Sequence, residues 1–174
     1  MEDNDRFKAY SAMAEASRKW VSVIDTKAGF LSGLCAATLA FIWTGAKLAD
    51  AKGCVRYLAL LATVMLLTSL FLALKVVLPR VSLRHAFGQD LTYTDGHHPI
   101  SFFGYVADKF PAHKHAQFVA LVDAMDEKAL ARESLEQHYT ICHVLQRKSC
   151  GVAWAGWIWL LASALVVGAL VLRG

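Results

Sequence analysis

Trp20-Val21-Ser22-Val23-Ile24-Asp25-Thr26-Lys27-Ala28-Gly29-Phe30-Leu31-Ser32-Gly33-Leu34 carries the chain from water into lipid. Charge ends at Lys27, and residues 28–46 carry none. At about 1.5 Å of rise per residue this stretch gives about 28 Å of helix, close to the ~30 Å of a hydrocarbon core. Two more stretches read the same way: residues 57–78, charged only at Lys75, and residues 151–172, uncharged throughout. Both exceed the length at which a buried soluble helix is the better reading. The expectation is an all-α membrane protein with three transmembrane helices, a hairpin (28–46 and 57–78) plus a C-terminal span (151–172).

Composition agrees. A hydrophobic fraction of 56% over 174 residues and a mean hydropathy of +0.40 are too apolar for a soluble domain of this size. The first 27 residues mix five Lys/Arg with five Asp/Glu and lack a short apolar core with a cleavage site, so the first span is expected to stay in the mature protein. Cys35, Cys54, Cys142 and Cys150 follow no C-x-x-C spacing, which disfavours a disulfide framework. Residues 79–150 hold eight Lys/Arg against eight Asp/Glu, so no basic face for nucleic acid is present.

Upstream of the first span, Phe7, Tyr10, Ala14, Ser17, Val21, Ile24, Ala28 and Leu31 recur in steps of three and four. That spacing predicts one helix running unbroken into lipid, with residues 1–27 an amphipathic stalk that covers its own chain's soluble part or a neighbouring subunit. Gly29, Gly33 and Ala37 place small residues on one face of the first span, which lets a second helix approach closely. The expected partner is the second span; a second copy of the chain is the alternative. Residues 47–56 contain Gly53 and are short enough to be a hairpin turn, Pro79 closes the second span, and Lys75 snorkels to the interface.

Residues 79–150 form the remaining segment. Residues 80–112 are rich in breakers and are read as irregular; residues 100–106 are either a strand or, better, an interfacial segment, since a lone strand has no partner. Residues 113–148 are read as a long helix whose apolar stripe changes phase near residues 127–131. Trp154, Trp157 and Trp159 then serve as interface anchors for the last span. Basic residues flanking the spans number nine on the N-terminal side of the membrane and four on the other, which places the N-terminus and residues 79–150 in the cytoplasm.

Signals for chemistry are sparse. All seven histidines lie in residues 79–150, and His138 with Cys142 stand one helical turn apart, yet no zinc signature occurs. No Gly-x-Ser-x-Gly, His-Glu-x-x-His or phosphate-cradling glycine loop is present, so an enzyme is not expected, nor a metal or cofactor. Asp25 and Lys27, two apart on a helix, do not face each other. Lys27 can snorkel; Asp25 is better satisfied by a cation from the end of the second span, such as Arg80 or Arg84. The pair reads either as ordinary interface charges or as a conformational latch. Arg80, Arg84, His85, His97, His98 and Lys109 give the segment a positive cast, suited to anionic lipid or to a small anionic ligand such as a nucleotide phosphate.

Asp25-x-Lys27-Ala28 at the mouth of the first span, Leu78-Pro79-Arg80 closing the hairpin and Phe102-Phe103-Gly104 after it resemble the transmembrane effector of Pycsar antiphage systems, over the whole chain. The resemblance implies a bacterial inner-membrane protein working beside a pyrimidine nucleotide cyclase. On infection the cyclase makes cyclic UMP or cyclic CMP, the effector responds, and loss of membrane integrity causes abortive infection. The motif residues Asp25, Lys27, Pro79, Phe103 and Gly104 carry over; a ligand pocket does not. A homo-oligomer is expected. The rival readings are a non-toxic membrane scaffold or assembly subunit and a nucleotide-gated channel.

Overall fold

A computed structural model describes residues 3–78, 100 and 103–173. Every described element is helical: α1 (Asp3–Ala40), a π-helical turn (Phe41–Gly45), a 3-10 turn (Leu48–Asp50), α2 (Cys54–Val77), α3 (Phe103–Lys109), a 3-10 turn (Ala112–Lys114), α4 (His115–Asp123) and α5 (Glu127–Arg173). Three helical stretches, Asp5–Gly45, Cys54–Val77 and Glu127–Arg173, are long and apolar enough to cross a membrane. The protein is an all-α membrane protein. Its contacts divide it into two units, Met1–Ser22 with Pro79–Gln146, and Val23–Leu78 with Arg147–Gly174.

The second unit is a bundle of the three spans, and its core follows from spacing. On α2, Ala59, Ala62, Leu66, Ser69, Ala73 and Val76 are buried, in steps that alternate between three and four. On α1 and its π turn, Ala28, Leu31, Cys35 and Ile42 are buried; on α5, Lys148, Ala155, Ala162 and Ala169 are buried seven apart. A strict seven-residue repeat keeps one seam facing its neighbours, as in coiled coils. The seam is mostly alanine because lipid gives no drive to bury larger apolar side chains, whereas small ones permit close contact between backbones. Trp159, expected as an interface anchor, instead packs on this core and donates from Nε1 to Thr38 Oγ1 at 3.4 Å. Trp154 and Trp157 are exposed, and Lys75 is exposed in the last turn of α2, where a cation suits the helix terminus.

One polar node touches all three spans. Ser69 Oγ donates to the Ala155 carbonyl at 2.7 Å, so the Cys35 thiol, 3.3 Å from the same oxygen, is the donor to it. The Gly29 and Gly33 face takes no part. A methyl added at either would meet nothing within 4 Å, and Ala37 is exposed, so the packing of this face on the second span does not occur. The reason is phase: the seam through Ala28, Leu31 and Cys35 already occupies the side of α1 that faces α2 and α5.

The hairpin turn is irregular. After the π turn Lys47 takes left-handed angles (φ 46°, ψ 41°), which cost a residue with a Cβ about 1–2 kcal/mol. Leu48, next in the chain, is fully buried against the end of the core, and Gly53 supplies the second positive φ before α2 begins.

In the first unit α1 packs its Ala14 and Ser17 side inward, and Ala131 and Glu133 of α5 are buried. Two expectations for residues 79–150 are corrected here. The interval 80–112 is not irregular throughout, because residues 103–109 form α3 rather than an interfacial coil; Phe110 N closes it onto Val106 O and Pro111 stops it. Residues 113–148 are not one helix: α4 ends at Asp123, and Asp126 accepts from Ala129 N at 2.7 Å, capping a new helix. That helix, α5, continues through Arg147 and Lys148 to Arg173.

The close approach of α5 to α2 is testable. A Cβ at Gly151 would lie 2.8 Å from Val76 Cγ2, and valine is stiff about χ1. Gly151→Leu should destabilise the purified protein by about 1–3 kcal/mol. Gly156→Ala, where a methyl meets nothing within 4 Å, should not destabilise it. Equal thermal stability of the two variants in detergent would refute this packing.

Candidate functional site

The residue that closes this end of the spans is the last one of the stretch 113–148, Lys148. Lys148 is 9% exposed, and its Nζ lies 2.5 Å from Asp25 Oδ1. Asp25 sits three residues before buried Ala28 on α1, at the flank of the seam, and Lys148 stands seven residues before Ala155 on α5. The repeat that places alanines on the seam therefore places a lysine there too. A buried ammonium is tolerable only beside a carboxylate, so the pair fixes α1 against α5. One turn further along α5, Gly151 meets Val76 of α2. All three spans thus converge within one turn of the ion pair.

Among the described residues the cation that meets Asp25 is Lys148, which sequence reasoning did not name for it; Arg80 and Arg84, expected there, are outside those residues. Lys27 is exposed on the other side of α1. Pro79, Arg80, Arg84, His85, His97 and His98 lie outside the described residues. Phe103 and Gly104 open α3, and their backbone alone is described; Lys109 is exposed in the last turn of that helix. The seven-residue spacing of Lys148, Ala155, Ala162 and Ala169 was the signal that could have found the missing partner.

In the first unit, Ser17 holds the stalk to α5. Its Oγ lies 2.7 Å from His138 Nδ1 and 3.1 Å from the Met13 carbonyl, and Arg18 Nη2 donates to Gln137 Oε1 at 2.6 Å. His138 Nε2 and Cys142 Sγ are 3.7 Å apart, but no group of three or more potential metal ligands occurs among the described residues. Tyr105 of α3 stacks edge-on with Phe110, which stacks on Phe118 of α4. Burial, and then the charge of Glu133, raise the Tyr105 phenol above its ordinary value. On the stalk surface a hydrogen bond from Lys19, and then its charge, hold the Glu15 carboxyl below its ordinary value.

Two predictions follow from this geometry. Asp25→Ala leaves a buried ammonium without a counterion and should cost about 3–5 kcal/mol, whereas Asp25→Ala with Lys148→Met should recover most of that loss. Unfolding of the three proteins in detergent decides it, and a double variant no better than the single one would refute the burial of Lys148. For Tyr105, the raised value means that the neutral phenol stabilises the fold at low pH and that this is lost as pH rises through the raised value. The absorbance titration that Tyr105→Phe removes should therefore have its midpoint above that of ordinary tyrosine, and Glu133→Gln should lower it; a midpoint insensitive to Glu133 would contradict the arrangement.

Comparison with curated proteins and with solved structures finds no match. The family described as the Pycsar effector protein domain matches residues 9–173, which takes in the stalk, the three spans and the segment between them. A three-span chain with an intramembrane seam and a membrane-mouth ion pair, matched over nearly its whole length, belongs to the Pycsar effector family, a family of antiphage defence effectors.

Proposed function

We propose that this protein is a non-enzymatic effector of the bacterial inner membrane, with its N-terminus and residues 79–150 in the cytoplasm. A cyclic pyrimidine mononucleotide, cUMP or cCMP, made by a partner pyrimidine nucleotide cyclase, switches it to a state that impairs membrane integrity, and the cell dies by abortive infection. The observation that carries this reading is the family match over residues 9–173, which joins the membrane bundle and the soluble unit in one domain.

The Asp25–Lys148 pair supports a latch. A ligand shifts an equilibrium only by its differential affinity for two arrangements, and an ion pair between two spans is a contact that two arrangements need not share. The effector acts as a homo-oligomer, and the open Gly29 and Gly33 face supports that part of the reading, since it leaves room for another helix.

The test is membrane potential, read by dye fluorescence in cells expressing the protein with cUMP or cCMP supplied and then withheld. Depolarisation with nucleotide alone is the expected result. No change under either condition, with the protein present in the membrane fraction, would favour the scaffold reading instead. The variant with Asp25→Ala and Lys148→Met should insert but fail to depolarise; unaltered killing by it would end the latch.

A further inference from the structure

At the end of the bundle away from Asp25 and Lys148, the hairpin turn combines features that a plain connector does not need. The first span leaves α-helical geometry at Phe41, and Ala46 N reaches back to Phe41 O at 2.8 Å in a π turn. Such turns are uncommon and recur at functional positions. Lys47 then adopts the left-handed conformation, the only residue other than glycine with positive φ among those described. Backbone strain of this kind persists only where surrounding contacts over-determine it.

Two contacts do so. Leu48 is fully buried against the end of the core, although the turn around it is exposed at Lys47, Asp50 and Lys52. Arg173, in the last turn of α5, donates from Nη1 to the Ala46 carbonyl immediately before the strained residue. The third span thus reaches the turn of the hairpin and holds it.

We propose that the hairpin turn is a strained closure: Leu48 stoppers this end of the three-span bundle and is kept seated by Arg173 against the left-handed conformation of Lys47. The two influences oppose each other. Loss of the Arg173 donor frees the turn, and the strain at Lys47 then favours release of Leu48. Removing the strain has the opposite effect and keeps the stopper seated. The bundle is accordingly held differently at its two ends, by an ion pair at one and by a side chain seated under strain at the other.

Thiol reactivity of the full chain in lipid nanodiscs tests this, because a membrane-impermeant maleimide then reaches both ends. Cys54, Cys142 and Cys150 are exposed and are replaced by Ser, while buried Cys35 is kept as a monitor of the intact bundle. In that background Leu48→Cys should react at least ~tenfold more slowly than Lys52→Cys, as a site that reacts only on local opening does. Adding Lys47→Gly should slow it further, by roughly threefold to tenfold, since glycine bears no left-handed penalty. Adding Arg173→Ala should speed it by roughly tenfold, with Cys35 still protected. Should Arg173→Ala also expose Cys35, Arg173→Lys, which keeps the charge but displaces the donor, is read in its place. Reaction of Leu48→Cys as fast as Lys52→Cys would overturn the stopper. A slow reaction that neither Lys47→Gly nor the Arg173 variant changes would overturn the strained closure.

Discussion

Burial of Lys148 is the constraint on which the arrangement of the spans depends. A lysine 9% exposed and in line with an alanine seam is stripped of most of its hydration, so its charge is met by a carboxylate. Asp25 meets it, and in doing so sets the register of α1 against α5. A slip of α1 by one position would separate the charges and carry Cys35 away from Ser69, and a slip of α5 would separate the charges and carry the Ala155 carbonyl away from Ser69. The ion pair and the polar node therefore specify the same register from two places.

Why such polar contacts are needed follows from the solvent. In water, a bundle of this size is held by removing apolar surface from solvent; in lipid that drive is absent, because acyl chains are as apolar as leucine. What is left is close contact between small side chains and a few hydrogen bonds, each worth about 1 kcal/mol or a little more in membrane helices. The alanines at 59, 62, 73, 155, 162 and 169 supply the first, and Ser69, Thr38 with Trp159, and Arg173 with the Ala46 carbonyl supply the second.

Much of this was legible in the sequence. Uncharged length gave the three spans, and of the eight residues that the three-four spacing of α1 named, Ala14, Ser17, Ala28 and Leu31 are buried, Tyr10, Val21 and Ile24 half-buried and Phe7 exposed. Assigning the small-residue face of Gly29 and Gly33 to the second span misled, because glycine spacing marks a face that can pack closely without saying which neighbour is available. Lys148 was missed as a partner of Asp25 for a related reason. Proximity in sequence to the end of a span favoured Arg80 and Arg84, whereas the period of seven in α5 pointed to Lys148. Helix α3 was hidden because an aromatic, glycine-containing stretch of seven residues has weak propensity of its own and depends on packing, here Tyr105 on Phe110 and Phe110 on Phe118.

A bundle held by a few specific contacts rather than by a large buried area responds differently to perturbation. Exchanging one arrangement of spans for another exposes little new surface to an unfavourable solvent, so the free-energy gap between packings is governed by the contacts that differ. Where those are one ion pair, one three-span hydrogen-bond node and one strained turn, the gap is a matter of a few kcal/mol. That is the range in which the differential affinity of a single small ligand suffices to reverse a population, since about 5.5 kcal/mol carries an equilibrium from 1:99 to 99:1. A soluble core of the same size, bound by its apolar area, would need far more. The alanine seam lets the spans meet closely, and under the proposed switch it would also keep the energy that separates two arrangements within reach of one ligand.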